Sequence, residues 1–74
     1  MDRLDNGPEY KPSKREIEVL QAILDSGTAE AAAKKLYIDV ETVRTHLRHL
    51  RERTDIHHLP QLLKWALHHG YLHA

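Results

Sequence analysis

The stretch "DVETVRTHLRHLRER", Asp39 to Arg53, carries two stripes that run one residue out of phase. Val40, Val43, Leu47 and Leu50 recur at helical spacing, and at about 100° per residue they fall on one face. That face must bury against other helices, which fixes the direction of every other side chain. Arg44, Arg48 and Arg51 then flank the apolar stripe on one side, Thr45 and His49 point outward, and Arg53 and His46 flank the other side. An amphipathic helix with Arg on its wet side is commonplace, so periodicity alone leaves a plain solvated face and a nucleic-acid reading head equally open.

The segments before this helix decide between them. Ser13 followed three residues later by Glu16 forms a capping box, with Pro12 placed to pack on Ile17, so a first helix is expected over 14–25. Ile17, Leu20, Ile23 and Leu24 give it an apolar face, and Ser26-Gly27 ends it. Thr28 is the next N-cap, and "AEAAAKKL" behind it is rich in strong helix formers, predicting a second helix over 29–36 with Glu30 and Lys34 spaced for an ion pair. Its Ala residues bury little area but allow close approach. Only "YID" separates it from the third helix, expected over 40–53 and capped by Asp39, and three residues leave room for nothing but a sharp turn. A fourth helix over 60–69 has Pro60 in its first turn and Gly70 just beyond its end. Leu59, Leu62, Leu63, Ala66 and Leu67 make its apolar side. The fold class is therefore all-α, four helices, with 1–12 as a flexible arm and 13–74 as one domain. A short helix, a tight turn and a second helix with a basic outward face is the layout of a helix-turn-helix, whose second helix enters the DNA major groove.

The chemistry suits that task. Arg can bond guanine O6 and N7 with two hydrogen bonds, and Thr can offer a hydroxyl to a base or a methyl to thymine. Thr28, Thr42 and the free N–H groups that begin the second and third helices suit phosphate oxygens, as do Lys35, His49, Arg51 and Arg53.

Two longer motifs also resemble a known family. "SKREIEVLQAIL" and "AAAKKLYIDVETVRTHLRHLRERTDI" look like the LuxR-type, or GerE-like, helix-turn-helix domain, whose pattern runs Ser/Thr-x-Arg-Glu-x-Glu-Val-Leu and then Ala-x-x-Leu-x-Ile-Ser-x-x-Thr-Val-Lys/Arg-x-His. The matching positions are Arg15, Glu16, Glu18, Val19, Leu20, Ala33, Leu36, Ile38, Thr42, Val43, Arg44 and His46. The resemblance implies a bacterial transcription regulator in which Arg44, Thr45 and Arg48 face the bases and the fourth helix makes a dimer. The chain departs from the pattern in its second helix, where Thr28-Ala29-Glu30-Ala31-Ala32 stands in place of Ser-Asn-x-Glu-Ile, and at Asp39, which replaces the usual Ser cap. Thr54-Asp55 stands where Leu-Gly is usual.

Composition bounds the remaining possibilities. Eleven Lys and Arg against 11 Asp and Glu give a net charge of zero, so a strongly basic, non-specific binder is excluded and only the local patch on the third helix is positive. There is no Cys, which excludes thiolate metal sites and disulfides. No apolar run could span a bilayer and the N-terminus has no signal-peptide core, so a cytoplasmic protein without a membrane partner is expected. Seven His invite a metal reading, but adjacent His on a helix point about 100° apart and no zincin motif occurs, so neither metal nor cofactor is expected. Nothing ties a nucleophile to a base, so the chain is not read as an enzyme.

Trp65 shares a flank of the fourth helix with Leu62 and His69, either as a core-edge aromatic or as a homodimer seam. A dimer would offset the weak affinity of one recognition helix and implies an inverted repeat in double-stranded DNA. RNA polymerase stands as a further partner of such a regulator. The competing reading is a helical protein-interaction module that keeps the helix-turn-helix frame without reading bases.

Overall fold

The computed structural model describes residues 10–74, which form four helices: α1 Lys14–Ser26, α2 Ala29–Leu36, α3 Val40–Thr54 and α4 Leu59–His68. Among the described residues there is no strand. The start of α1 follows from the capping box. Ser13 Oγ accepts from the Glu16 N–H at 3.1 Å, and Glu16 accepts in return from the Ser13 N–H at 2.9 Å. Its end follows from Gly27, which adopts φ 96°, a conformation open to a residue without Cβ, and donates its N–H to Ile23 O at 2.7 Å.

The stripes behave as their spacing requires. Val19, Leu20, Ala22 and Ile23 of α1 close on Ala32 and Ala33 of α2 and on Val43, Leu47 and Leu50 of α3. Each fully buried Val or Leu contributes about 1.5–3 kcal/mol. Because α2 presents Ala to the core, it packs closely against both α1 and α3. Leu62 and Ala66 of α4 complete the core from the other side.

Several expectations need correction. Residues 1–9 of the expected flexible arm lie outside the described residues, but its last part is tied down: Pro12 is buried and the Tyr10 hydroxyl donates to Glu16 at 2.5 Å. Asp39 occupies the N-cap of α3, yet its side chain makes no capping hydrogen bond. Its carbonyl instead accepts from Thr42 at 3.0 Å and Val43 at 3.3 Å. Glu30 reaches Arg44 of α3 at 3.2 Å, in place of an ion pair with Lys34 within α2. Helix α3 runs one residue further than expected because Thr54, buried in the core, returns its hydroxyl to Leu50 O at 2.6 Å while Asp55 closes the helix at φ 58°. Helix α4 begins at Leu59, one residue early, with Pro60 in its first turn where the missing N–H costs nothing. Beyond Gly70 the chain folds back onto α1. Gln21 accepts from the His73 N–H at 2.9 Å and donates to its carbonyl at 3.0 Å, which seats Leu72 in the core.

Candidate nucleic-acid interface

The turn between α2 and α3 sets the geometry of the site. Tyr37 takes φ 59° and ψ 44°, donating its N–H to Ala33 and Lys34 carbonyls, and Ile38 donates to Ala33 O at 3.0 Å. Three residues thus reverse the chain, and the flank of α3 that carries Arg44 comes to lie beside the first turn of α2.

A cleft of about 600 Å³ opens there, lined by Ala29 and Glu30 of α2, by Arg44, Leu47, Arg48, Arg51 and Glu52 of α3, and by His57 and Leu59. Three guanidinium groups therefore converge on one concave surface at the N-terminal end of a helix, where free N–H groups and the helix dipole favour anions. Each arginine is held differently. Arg44 is half exposed and donates to Glu41 at 2.8 Å and to Glu30 at 3.2 Å. Pairs this exposed are worth about 0–1 kcal/mol each, so they restrain the side chain more than they stabilise the fold. Arg48 is exposed, and among the described residues no carboxylate pairs with it. Arg51 is half-buried and its Nε is enclosed without a hydrogen-bond partner, so its stem is packed in the wall of the cleft.

The other expected contacts divide between this surface and elsewhere. Thr28 caps α2, its Oγ1 accepting from Ala31 at 3.0 Å, which leaves the hydroxyl proton available, next in the chain to Ala29 of the cleft. Thr42 and His49 are exposed on α3. Thr45 is half-buried and spends its hydroxyl proton on Glu41 O at 2.9 Å, so what it retains for a base is its methyl group and its oxygen lone pairs. Lys35 falls away from the cleft, in a separate groove lined by Ile17, Gln21, Tyr71 and His73. Arg53 also lies apart, with its guanidinium 5.5 Å from the centre of the Tyr10 ring. On α4, Leu62 is fully buried and cannot itself touch a partner. Trp65 is half-buried and packs on His69 at 5.2 Å and Tyr71 at 5.6 Å between ring centres.

Glu41, an i,i+3 partner of Arg44, and Glu30, which spacing does not reveal, are further members of the site. The available signal is that both stand in the first turn of a helix, where a carboxylate is stabilised by the dipole and is near whatever cation the partner helix presents. Among the described residues no three His, Asp or Glu side chains gather in a way that could hold a metal ion. None of the helices is long and apolar enough to cross a membrane.

A close-packed pair of helices, a three-residue turn and an arginine-lined flank define a helix-turn-helix DNA-binding domain. Residues 13–66 match the family of bacterial regulatory proteins known as the luxR family, or GerE, and the chain belongs to it. It is similar to the oxygen regulatory protein NreC of Staphylococcus haemolyticus (strain JCSC1435), at 36% identity over 62 residues, covering 84% of this chain and 29% of that protein. NreC of Staphylococcus carnosus (strain TM300) is 34% identical over 62 residues, covering 84% and 29%. The chain therefore spans under a third of the length of these curated relatives. No solved structure matches it.

Proposed function

We propose that this chain is a sequence-specific transcription regulator that places α3 in the DNA major groove and acts as a homodimer on an inverted repeat. The observation that carries this reading is the convergence of Arg44, Arg48 and Arg51 on one cleft beside the N-terminus of α2. Arg44 and Arg48, with Thr45, are assigned to base edges; Arg51, Thr28, Thr42 and His49 to the phosphate backbone. Two copies meet through α4, with Trp65 and His69 at the seam and Leu62 supporting it from beneath. Symmetry then sets half-sites about one helical turn apart. A cytoplasmic location and recruitment or exclusion of RNA polymerase follow from the same reading.

A specific observation favours protein docking instead: Tyr37 is 94% exposed on the motif turn. Selection of binding sites from random DNA, followed by titration against salt, separates the two. The DNA reading requires affinity that falls steeply with salt and a loss of about 1–3 kcal/mol in each of Arg44→Ala and Arg48→Ala at the selected site. Unchanged binding in both variants ends it. Sedimentation of Trp65→Ala as the same dimer as the wild type removes the α4 seam.

A further inference from the structure

Arg44 is bound to both motif helices at once. Its Nη1 donates to Glu41, in the first turn of its own helix, and its Nη2 donates to Glu30, in the first turn of α2. The side chains are 47%, 74% and 65% exposed for Arg44, Glu41 and Glu30, so this arrangement holds little of the fold together. The buried stripe of Val43, Leu47 and Leu50 already does that.

The consequence lies in the donor geometry. A guanidinium has five N–H donors in a fixed plane. The two carboxylates engage one terminal nitrogen each, from two different helices, which leaves further N–H donors of the guanidinium free and restrains the plane in which they lie. Guanine O6 and N7 accept two N–H donors that lie in one such plane. A freely rotating Arg must be ordered on binding, whereas one held from two sides is already ordered. The same carboxylates also place negative charge where the phosphate backbone approaches α2, which penalises every sequence alike. Both effects favour discrimination over affinity. They also account for Glu30 on the wall of the cleft.

We infer that Glu30 and Glu41 form a carboxylate clamp on Arg44, and that Glu30, on a helix that reads no bases, is a positioning residue for sequence specificity. This inference rests on the DNA-binding reading above.

The test uses Glu30→Gln, which keeps the side-chain size and removes the charge. Its melting temperature should fall by only a few degrees, the loss of one exposed charge at a helix N-terminus. Its affinity for random-sequence duplex should rise about 2- to 5-fold at low salt. Its discrimination against a single substitution at the base pair read by Arg44 should fall about 3- to 10-fold, with preferences elsewhere in the site unchanged. In an Arg44→Ala background the same change should leave discrimination where Arg44→Ala alone puts it. A merely structural role for Glu30 would weaken all positions together and leave their ratios unchanged. If the wild type selects a site and Glu30→Gln keeps the same preference at every position, the clamp is overturned and the DNA reading stands. A wild type that shows no salt-dependent binding overturns both.

Discussion

On one flank of α3, Arg44, Arg48 and Arg51 line an open cleft, while on the other Arg53 lies 5.5 Å over the ring of Tyr10. The residue type is the same and the apolar stripe between the flanks is shared. What differs is the neighbour across the helix pair. The cleft flank faces the first turn of α2, where the nearest groups are exposed carboxylates and free N–H donors. The Arg53 flank faces the segment that leads into α1, where an aromatic ring covers the guanidinium and its own hydroxyl is fixed by Glu16. An Arg held by exposed carboxylates keeps further donors open to a ligand; an Arg over a ring is part of the packing.

Removing what both flanks share has the largest effect. Leu50 is fully buried in the stripe. Leu50→Ala should cost about 2–5 kcal/mol, a large part of the stability of so small a domain, and abolish any function of either flank. Denaturant unfolding measures it directly. A midpoint close to that of the wild type would mean that the stripe is not the support it is taken to be.

The next largest effect separates the flanks. Arg48→Ala should weaken specific DNA binding by about 1–3 kcal/mol with little change in stability. Arg53→Ala should do the reverse, losing about 0.5–1 kcal/mol of stability through the exposed cation–π contact. Its DNA affinity should change by less than that of Arg48→Ala. Equal loss of affinity in the two variants would put both flanks on DNA and restore Arg53 to the backbone contacts.

How far these differences could be read in advance depends on their range along the chain. The capping box of Ser13 and Glu16, the four helices and the assignment of each Arg to a flank all follow from spacing within one turn of helix, and spacing is what a sequence displays. The pairing of Glu30 with Arg44, the placement of Tyr10 over Arg53 and the clasp of Gln21 on His73 join separate elements through long or polar side chains. No periodicity records them. The side chain of Asp39 is a different case: residue type favoured capping, but the α3 N–H groups of Thr42 and Val43 are met by the Asp39 carbonyl.

The turn before α3 offers a smaller test of where the cleft flank begins. Tyr37 holds a left-handed conformation that strains a side chain with a Cβ, and a Cβ-free residue removes the strain. Tyr37→Gly should therefore stabilise the domain by about 0.5–1 kcal/mol, less whatever the added freedom of the unfolded chain takes back. Thermal unfolding reports the sign. DNA binding should be unaffected, since Tyr37 lies outside the cleft; a loss there would bring the turn into the interface.

The smallest effect concerns charge on the Arg53 flank. Burial, the hydrogen bond to Glu16 and the negative charge of Glu16 push the Tyr10 hydroxyl up to about 12, with Arg53 pulling in the opposite direction. The folded state thus favours the protonated phenol. Its contribution to stability is complete below the ordinary value of 10.0 and is lost as pH rises through about 12. Difference titration of the wild type against Tyr10→Phe should show this late ionisation. Arg53→Ala should move it higher still, because the positive charge that favours the phenolate is gone, and Glu16→Gln should move it lower. If Arg53→Ala lowers it instead, the guanidinium is acting by covering the ring from water and its charge is not what Tyr10 feels. The flank would then be held by packing alone.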